Sequence, residues 1–164
     1  MRASIIREVA VEASAEFVYH PRIPVADDYV AAAGRAAYNF AYLEWGIVWL
    51  CEKLERDYIH TVESKTAGVI AADFARSVAK PSDLPLEIVE RLSALADHFS
   101  AAVVARNQIM HGTPMTAANG EQRLRYTGKH PTIEWTANGL LQAAKSFEDV
   151  AIEANDLFHN HLAK

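Results

Sequence analysis

The chain has 164 residues, 51% of them apolar and 23% charged, and a formal charge of −5. That suffices for one domain burying about 70% of its unfolded surface without a disulfide or metal staple. The 7 Gly and 6 Pro exclude collagenous, low-complexity and disordered classes. The single Cys51 excludes an intrachain disulfide framework and a cysteine-based zinc site, and the acidic balance disfavours a general duplex-DNA binder.

Residues 1–26 read as an N-terminal extension, with residues 27–164 forming one helical domain. Within the extension Ile5, Val9, Ala13 and Phe17 suit a helix, whereas Pro21 and Pro24 demand an extended lead-in. Arg2, Arg7, Glu8, Glu12 and Glu16 interrupt its apolar residues, so no secretory signal is expected. The longest apolar run, Trp45 to Cys51, falls far short of the roughly 20 residues of a membrane span. The expectation is a soluble, cytoplasmic protein.

From Asp27 to Arg56, Tyr29, Ala33, Ala37, Phe40, Leu43, Ile47, Leu50 and Leu54 recur at helical steps, with Asp27 or Asp28 as the cap. Trp45, Trp49 and Cys51 read as core or dimer-interface packing; Cys51 has no neighbouring base to make it a nucleophile. A second helix is expected from Ser64 to Ala79, with Ala67, Ile70, Phe74 and Val78 on one side. A third begins near Asp83, takes Pro85 in its first turn, and runs through Ile88, Leu92, Leu95, Phe99, Ala102 and Ile109 to a stop at Gly112.

Beyond Thr113 the helical period disappears. Asn119-Gly120, between Met115-Thr116 and Leu124-Arg125-Tyr126, is a type I′ hairpin signal, and residues 132–136 suit a third short strand. The last helix, about Thr136 to His161, carries Leu140, Ala144, Phe147, Ala151, Ala154 and Phe158, with Thr136 or Asn138 as its cap. The fold expected is mainly α: a bundle of four to five helices with a small β-hairpin insertion before the last one.

Two charges break the apolar stripes. Arg106 lies seven residues after Phe99 and four after Ala102, in line with the buried side of the third helix, and Glu44 lies four after Phe40 in the first. A guanidinium aimed at a core must be paired or must bind an anion, so Glu44 and Arg106 are expected to meet, either as a structural ion pair or as part of a site. Asn107 and His111 are four apart on one helix face, with Arg106 about 100° to the side. The helix C-terminus favours positive charge there. A cation, an imidazole and a carboxamide suit an anionic phosphodiester: Arg106 for the phosphate charge, His111 for proton transfer.

Arg106, Asn107 and His111 at a helix end, followed by Gly112 and preceded by a long first helix with Leu43-Glu44, resemble the signature of the HEPN (higher eukaryotes and prokaryotes nucleotide-binding) superfamily of all-α domains. Thr113-Pro114 stands where one branch places a Trp, which leaves the subfamily open. The resemblance implies a homodimer whose two motifs form a composite, metal-independent endoribonuclease site using no cofactor. It also implies roles as a toxin or in anti-phage defence with an antitoxin or defence partner, or a non-catalytic nucleotide- or RNA-binding or protein-interaction dimer.

Arg123, Arg125, Lys129 and His130, with Tyr126 nearby, either guide single-stranded RNA or form an ordinary solvated hairpin face. Arg125 and His130 repeat the Arg-to-His spacing, but in the β region. His159 and His161, two apart on a helix, diverge and make a poor metal pair.

Overall fold

The computed structural model describes residues 20–128 and 132–162. Helix α1 spans Asp27–Leu54, α2 Ala67–Val78, α3 Leu86–Met110 and α4 Ala137–Asp156, which runs into a π-helical end at Leu157–Leu162. Between α3 and α4 lies an antiparallel meander of β1 (Thr113–Thr116), β2 (Gln122–Tyr126) and β3 (Ile133–Trp135). A mainly α bundle with a small β insertion before its last helix is therefore the architecture, and the insertion has three strands. No helix among the described residues is long and apolar enough to cross a membrane.

The helices form because each hides one stripe. Helix α1 packs chiefly on α4 and more lightly on α2, while α3 packs on α2 and α4. Phe40 of α1 stacks on Phe99 of α3 with ring centroids 6.2 Å apart, and presents its face or edge to Phe147 of α4 at 5.5 Å. These three rings tie the core together at about 0.5–1.5 kcal/mol per pair beyond their burial. The stripe of α3 is buried as its spacing predicts, and so is that of α4 from Leu140 to Ala154; at the π-helical end Leu157 takes the buried place and Phe158 is only half-buried.

Local differences from the sequence expectations have identifiable causes. In α1 the buried alanines are Ala32 and Ala36 rather than Ala33 and Ala37, so the stripe is rotated by one residue over its first turns. Ala26 stands at the N-cap without a side-chain cap; Asp27 and Asp28 lie inside the first turn, where their charge meets the positive helix end. Helix α2 starts at Ala67, capped by Thr66, because Tyr58–Ser64 forms a separate 3-10 segment. Helix α3 starts one residue after Pro85, which serves as its N-cap position. Thr136 caps α4 by accepting from the Gly139 amide at 3.0 Å.

The hairpin forms, but its turn is not type I′. Gly120 donates to the Ala117 carbonyl, Ala117 donates to that of Glu121, and only Gly120 has positive φ, +85°. Asn119 stays at negative φ and accepts from the Glu121 amide through Oδ1. A four-residue turn closed by a left-handed glycine meets the strand twist in another way.

Trp45 and Trp49, expected as core or interface packing, are 53% and 46% exposed and lie outside the core of the chain. Cys51 is fully buried, and burial first, then the nearby Asp73, pushes its thiol up to about 12. It stays protonated, which fits packing rather than nucleophilic chemistry.

Candidate functional site

The last two turns of α3 carry the candidate motif to the edge of the aromatic core. Arg106 is half-buried, with its guanidinium carbon 5.5 Å from the centroid of the Phe40 ring. The cation rests on a π-face whose other contacts anchor it to α3 and α4. Arg106 Nη1 donates to Asn107 Oδ1 at 3.0 Å, which turns the guanidinium toward the face that Asn107 shares with His111.

Glu44 and Arg106 are neighbours without forming a direct ion pair. Among the described residues, no carboxylate oxygen lies within 4.0 Å of the Arg106 guanidinium, because the Phe40 ring and Asn107 hold it. The two charges still sense each other. Burial raises the Glu44 carboxyl above its ordinary value, and the Arg106 charge draws it part of the way back. The result is a guanidinium oriented by a ring and a carboxamide, with donors left for an anion.

His111 is the C-cap residue of α3 and is exposed. Its amide donates to the Asn107 carbonyl at 3.0 Å, which fixes its backbone. Among the described residues its ring makes no hydrogen bond or ion pair, so both ring nitrogens are open to a ligand. On an ideal helix its side chain leaves α3 about 140° from that of Arg106.

Gly112 follows because there is no space for a side chain. A Cβ there would stand 2.9 Å from Leu124 Cβ and 3.1 Å from the Gln108 carbonyl. The first is too close for any carbon pair, and Leu124 cannot give way without moving β2. Gly112→Ala is expected to cost about 2 kcal/mol, read as a lower melting temperature, and to shift the hairpin relative to His111. An unchanged melting temperature would show that the helix end and β2 are free to separate.

The hairpin arginines are occupied. Arg123 donates to Glu134 at 2.7 Å and to Glu121 at 3.1 Å, and Arg125 grips Glu134 with Nε at 3.1 Å and Nη2 at 2.7 Å. Register explains the grip, since Arg125 stands opposite Glu134 across β2 and β3. Their charge is largely neutralised within the sheet, which favours the ordinary solvated face over an RNA guide. Lys129 and His130 lie outside the described residues, as do the N-terminal positions Ile5 to Phe17.

His161 Nε2 lies 3.1 Å from Arg91 Nη1 and 3.6 Å from Asp156, while Arg91 is held by Glu153 and Asp156. Among the described residues no group of three or more His, Cys, Asp or Glu side chains is placed to hold a metal ion.

Sequence spacing does not reveal two participants. Phe40 reads as ordinary core, yet it is the platform under Arg106, and Glu134 becomes the counter-ion of both hairpin arginines only once the strand register is known. No family model, curated protein or solved structure matches the chain.

Proposed function

We propose that the end of α3 binds and cleaves RNA, in a homodimer in which the second copy brings its own motif to the same substrate. The observation that carries this reading is the Arg106 guanidinium. It is half-buried on Phe40, oriented by Asn107, and outside ion-pair distance of the described carboxylates, which is costly for structure alone and useful for an anion.

The step is a transesterification. Neutral His111 takes the proton of the ribose 2′-hydroxyl as O2′ attacks phosphorus. The P–O2′ bond forms, the P–O5′ bond breaks, and the departing 5′-oxygen takes a proton from an imidazolium. The products are a 2′,3′-cyclic phosphate and a 5′-hydroxyl. Arg106 stabilises the charge that builds on the phosphorane oxygens, and Asn107 holds the guanidinium in place. The resemblance of Arg106, Asn107 and His111 to the HEPN signature supports the same reading, and what it implies further is a role as a toxin or in anti-phage defence with an antitoxin or defence protein as partner.

The test is cleavage of mixed single-stranded and structured RNA in EDTA by wild type and His111→Ala purified identically. The expected result is cleavage by wild type alone, with 2′,3′-cyclic ends. Equal cleavage by both would remove His111 from the mechanism. RNA binding that depends on Arg106 without turnover by either protein would replace the nuclease with a binding module.

A further inference from the structure

Among the described residues, the side of α1 turned away from the core is an apolar face that is only partly covered. Tyr38, Tyr42, Trp45 and Trp49 are 70%, 55%, 53% and 46% exposed. Their spacing of four, three and four sets them in one row, about 16 Å long on a helix. Helix α4 widens it: Ile152, also exposed, shares a cleft with Tyr38 and Tyr42, and Phe158 lies 6.4 Å from Trp49, centroid to centroid. At about half exposure each ring shows roughly 100 Å². With Ile152 the face reaches about 500 Å², at the upper end of what a monomer leaves in water.

The sequence carries a second apolar row. Ile5, Ile6, Val9, Ala13 and Phe17 fall on one side at helical spacing, with Arg7 and Glu8 on the other, over about 18 Å. These five residues precede the described chain, which opens at His20, seven residues before the first turn of α1.

We propose that residues 5–17 are the occupant of this face, docking on it as an amphipathic helix antiparallel to α1. Its place in the chain selects it. Pro21 and Pro24 stop α1 from extending backward, so what precedes them must change direction. The ten steps from Phe17 to Asp27 reach at most about 33 Å. Lying beside α1 at Gly34 takes about 10 Å along the helix and 8–10 Å across it. A segment tethered this closely meets the face at an effective concentration of about millimolar, which a separate molecule rarely matches.

The two rows also agree in length and in size. With Phe17 opposite Gly34, Ala13 falls opposite Tyr38, Val9 opposite Tyr42 and Ile6 opposite Trp45, so a small residue faces a large one at both of the first two places. Gly34 has room for the phenylalanine ring, since a Cβ built there meets nothing within 4 Å. Docking takes two apolar rows of one chain out of water at once. Glu44 lies about 130° around α1 from the row, so the docked segment leaves the Arg106 site uncovered, and the inference does not depend on RNA cleavage.

The first experiment is acrylamide quenching of tryptophan fluorescence in the full chain, wild type against Val9→Asp. Trp45 and Trp49 lie in the row, while Trp135 packs on the core. The quenching constant should roughly double in Val9→Asp, because two of the three tryptophans lose their cover. The second is oxidative cross-linking of the full chain carrying Ile6→Cys with Trp45→Cys, or Val9→Cys with Tyr42→Cys. Both pairs should close within one chain and give a faster-migrating monomer on a non-reducing gel, while Cys51, fully buried, stays silent. Unchanged quenching in Val9→Asp would overturn the proposal. So would links that form only between chains, which would assign the face to a second copy. Shielding of the tryptophans that appears only when RNA is added would assign it to RNA and overturn the proposal equally.

Discussion

Arg106→Ala is expected to reduce RNA cleavage about a hundredfold or more while lowering the melting temperature by only a few degrees. The activity loss follows from removing the cation proposed to stabilise the phosphorane charge, a type of loss that costs about 10²–10³ in rate. The stability loss is small because among the described residues the side chain makes one hydrogen bond, to Asn107 Oδ1, and one ring contact, with Phe40. Each is worth about 0.5 kcal/mol at such a half-exposed position. A guanidinium that served only the fold would give the reverse pattern, with a sharp fall in melting temperature and no effect of His111→Ala on RNA.

The pH dependence of that variant reports on Glu44. Burial holds its carboxyl above the ordinary value and Arg106 opposes the rise. A carboxyl raised on folding costs nothing below its ordinary value and costs most once pH exceeds the folded one. With Arg106 gone the opposition is lost, so the stability deficit of Arg106→Ala should be smallest near pH 4 and widen toward pH 7. Adding Glu44→Gln should abolish the widening. A deficit independent of pH would mean that the two charges do not sense each other.

The helices are legible in the sequence because each has one continuous apolar stripe; Leu92, Leu95, Phe99 and Ala102 define α3 without help from tertiary context. The break in that stripe at Arg106 is equally legible, and it points to the right place. What spacing cannot supply is the partner. A stripe says which way a side chain leaves its helix, not which atom of the facing helix stands there. The expected ion pair with Glu44 is thus a cation on the Phe40 ring. Asn119-Gly120 illustrates a second limit, since the same dipeptide serves a two-residue type I′ turn or a longer turn with only the glycine left-handed. Which of them forms is set by the register of β1 and β2, fixed by Thr113 opposite Arg125. The exposure of Trp45 and Trp49 escapes for a third reason: apolar residues all round a helix read as burial, while among the described residues the face they occupy is only partly covered, with Phe158 beside Trp49.

Asp73→Ala is expected to be the most destabilising polar substitution, at about 2 kcal/mol, or about 5 °C in melting temperature for a domain of this size. Asp73 is buried in α2 and joins three groups: Tyr58 Oη donates to Oδ2 at 3.0 Å, Lys65 Nζ lies 2.9 Å from Oδ2, and Arg76 Nη1 donates to Oδ1 at 2.8 Å. Lys65 also donates to Thr61 and sits 4.1 Å from the centroid of the Tyr58 ring, so the carboxylate is the knot tying the 3-10 segment to α2. Removing it leaves a buried phenol and a mostly covered ammonium without their acceptor. Lys65 foremost, then Tyr58 and Arg76, hold the Asp73 carboxyl below its ordinary value against the opposing effect of burial. Stability from a lowered carboxyl is present above its unfolded value, near 3.8, and is lost as pH falls through the folded one. Wild type should therefore lose stability below about pH 4 more steeply than Asp73→Ala, and the two melting curves should converge in acid. Parallel curves across that range would show that the ion pairs around Asp73 contribute nothing, and that its substitution acts through packing alone.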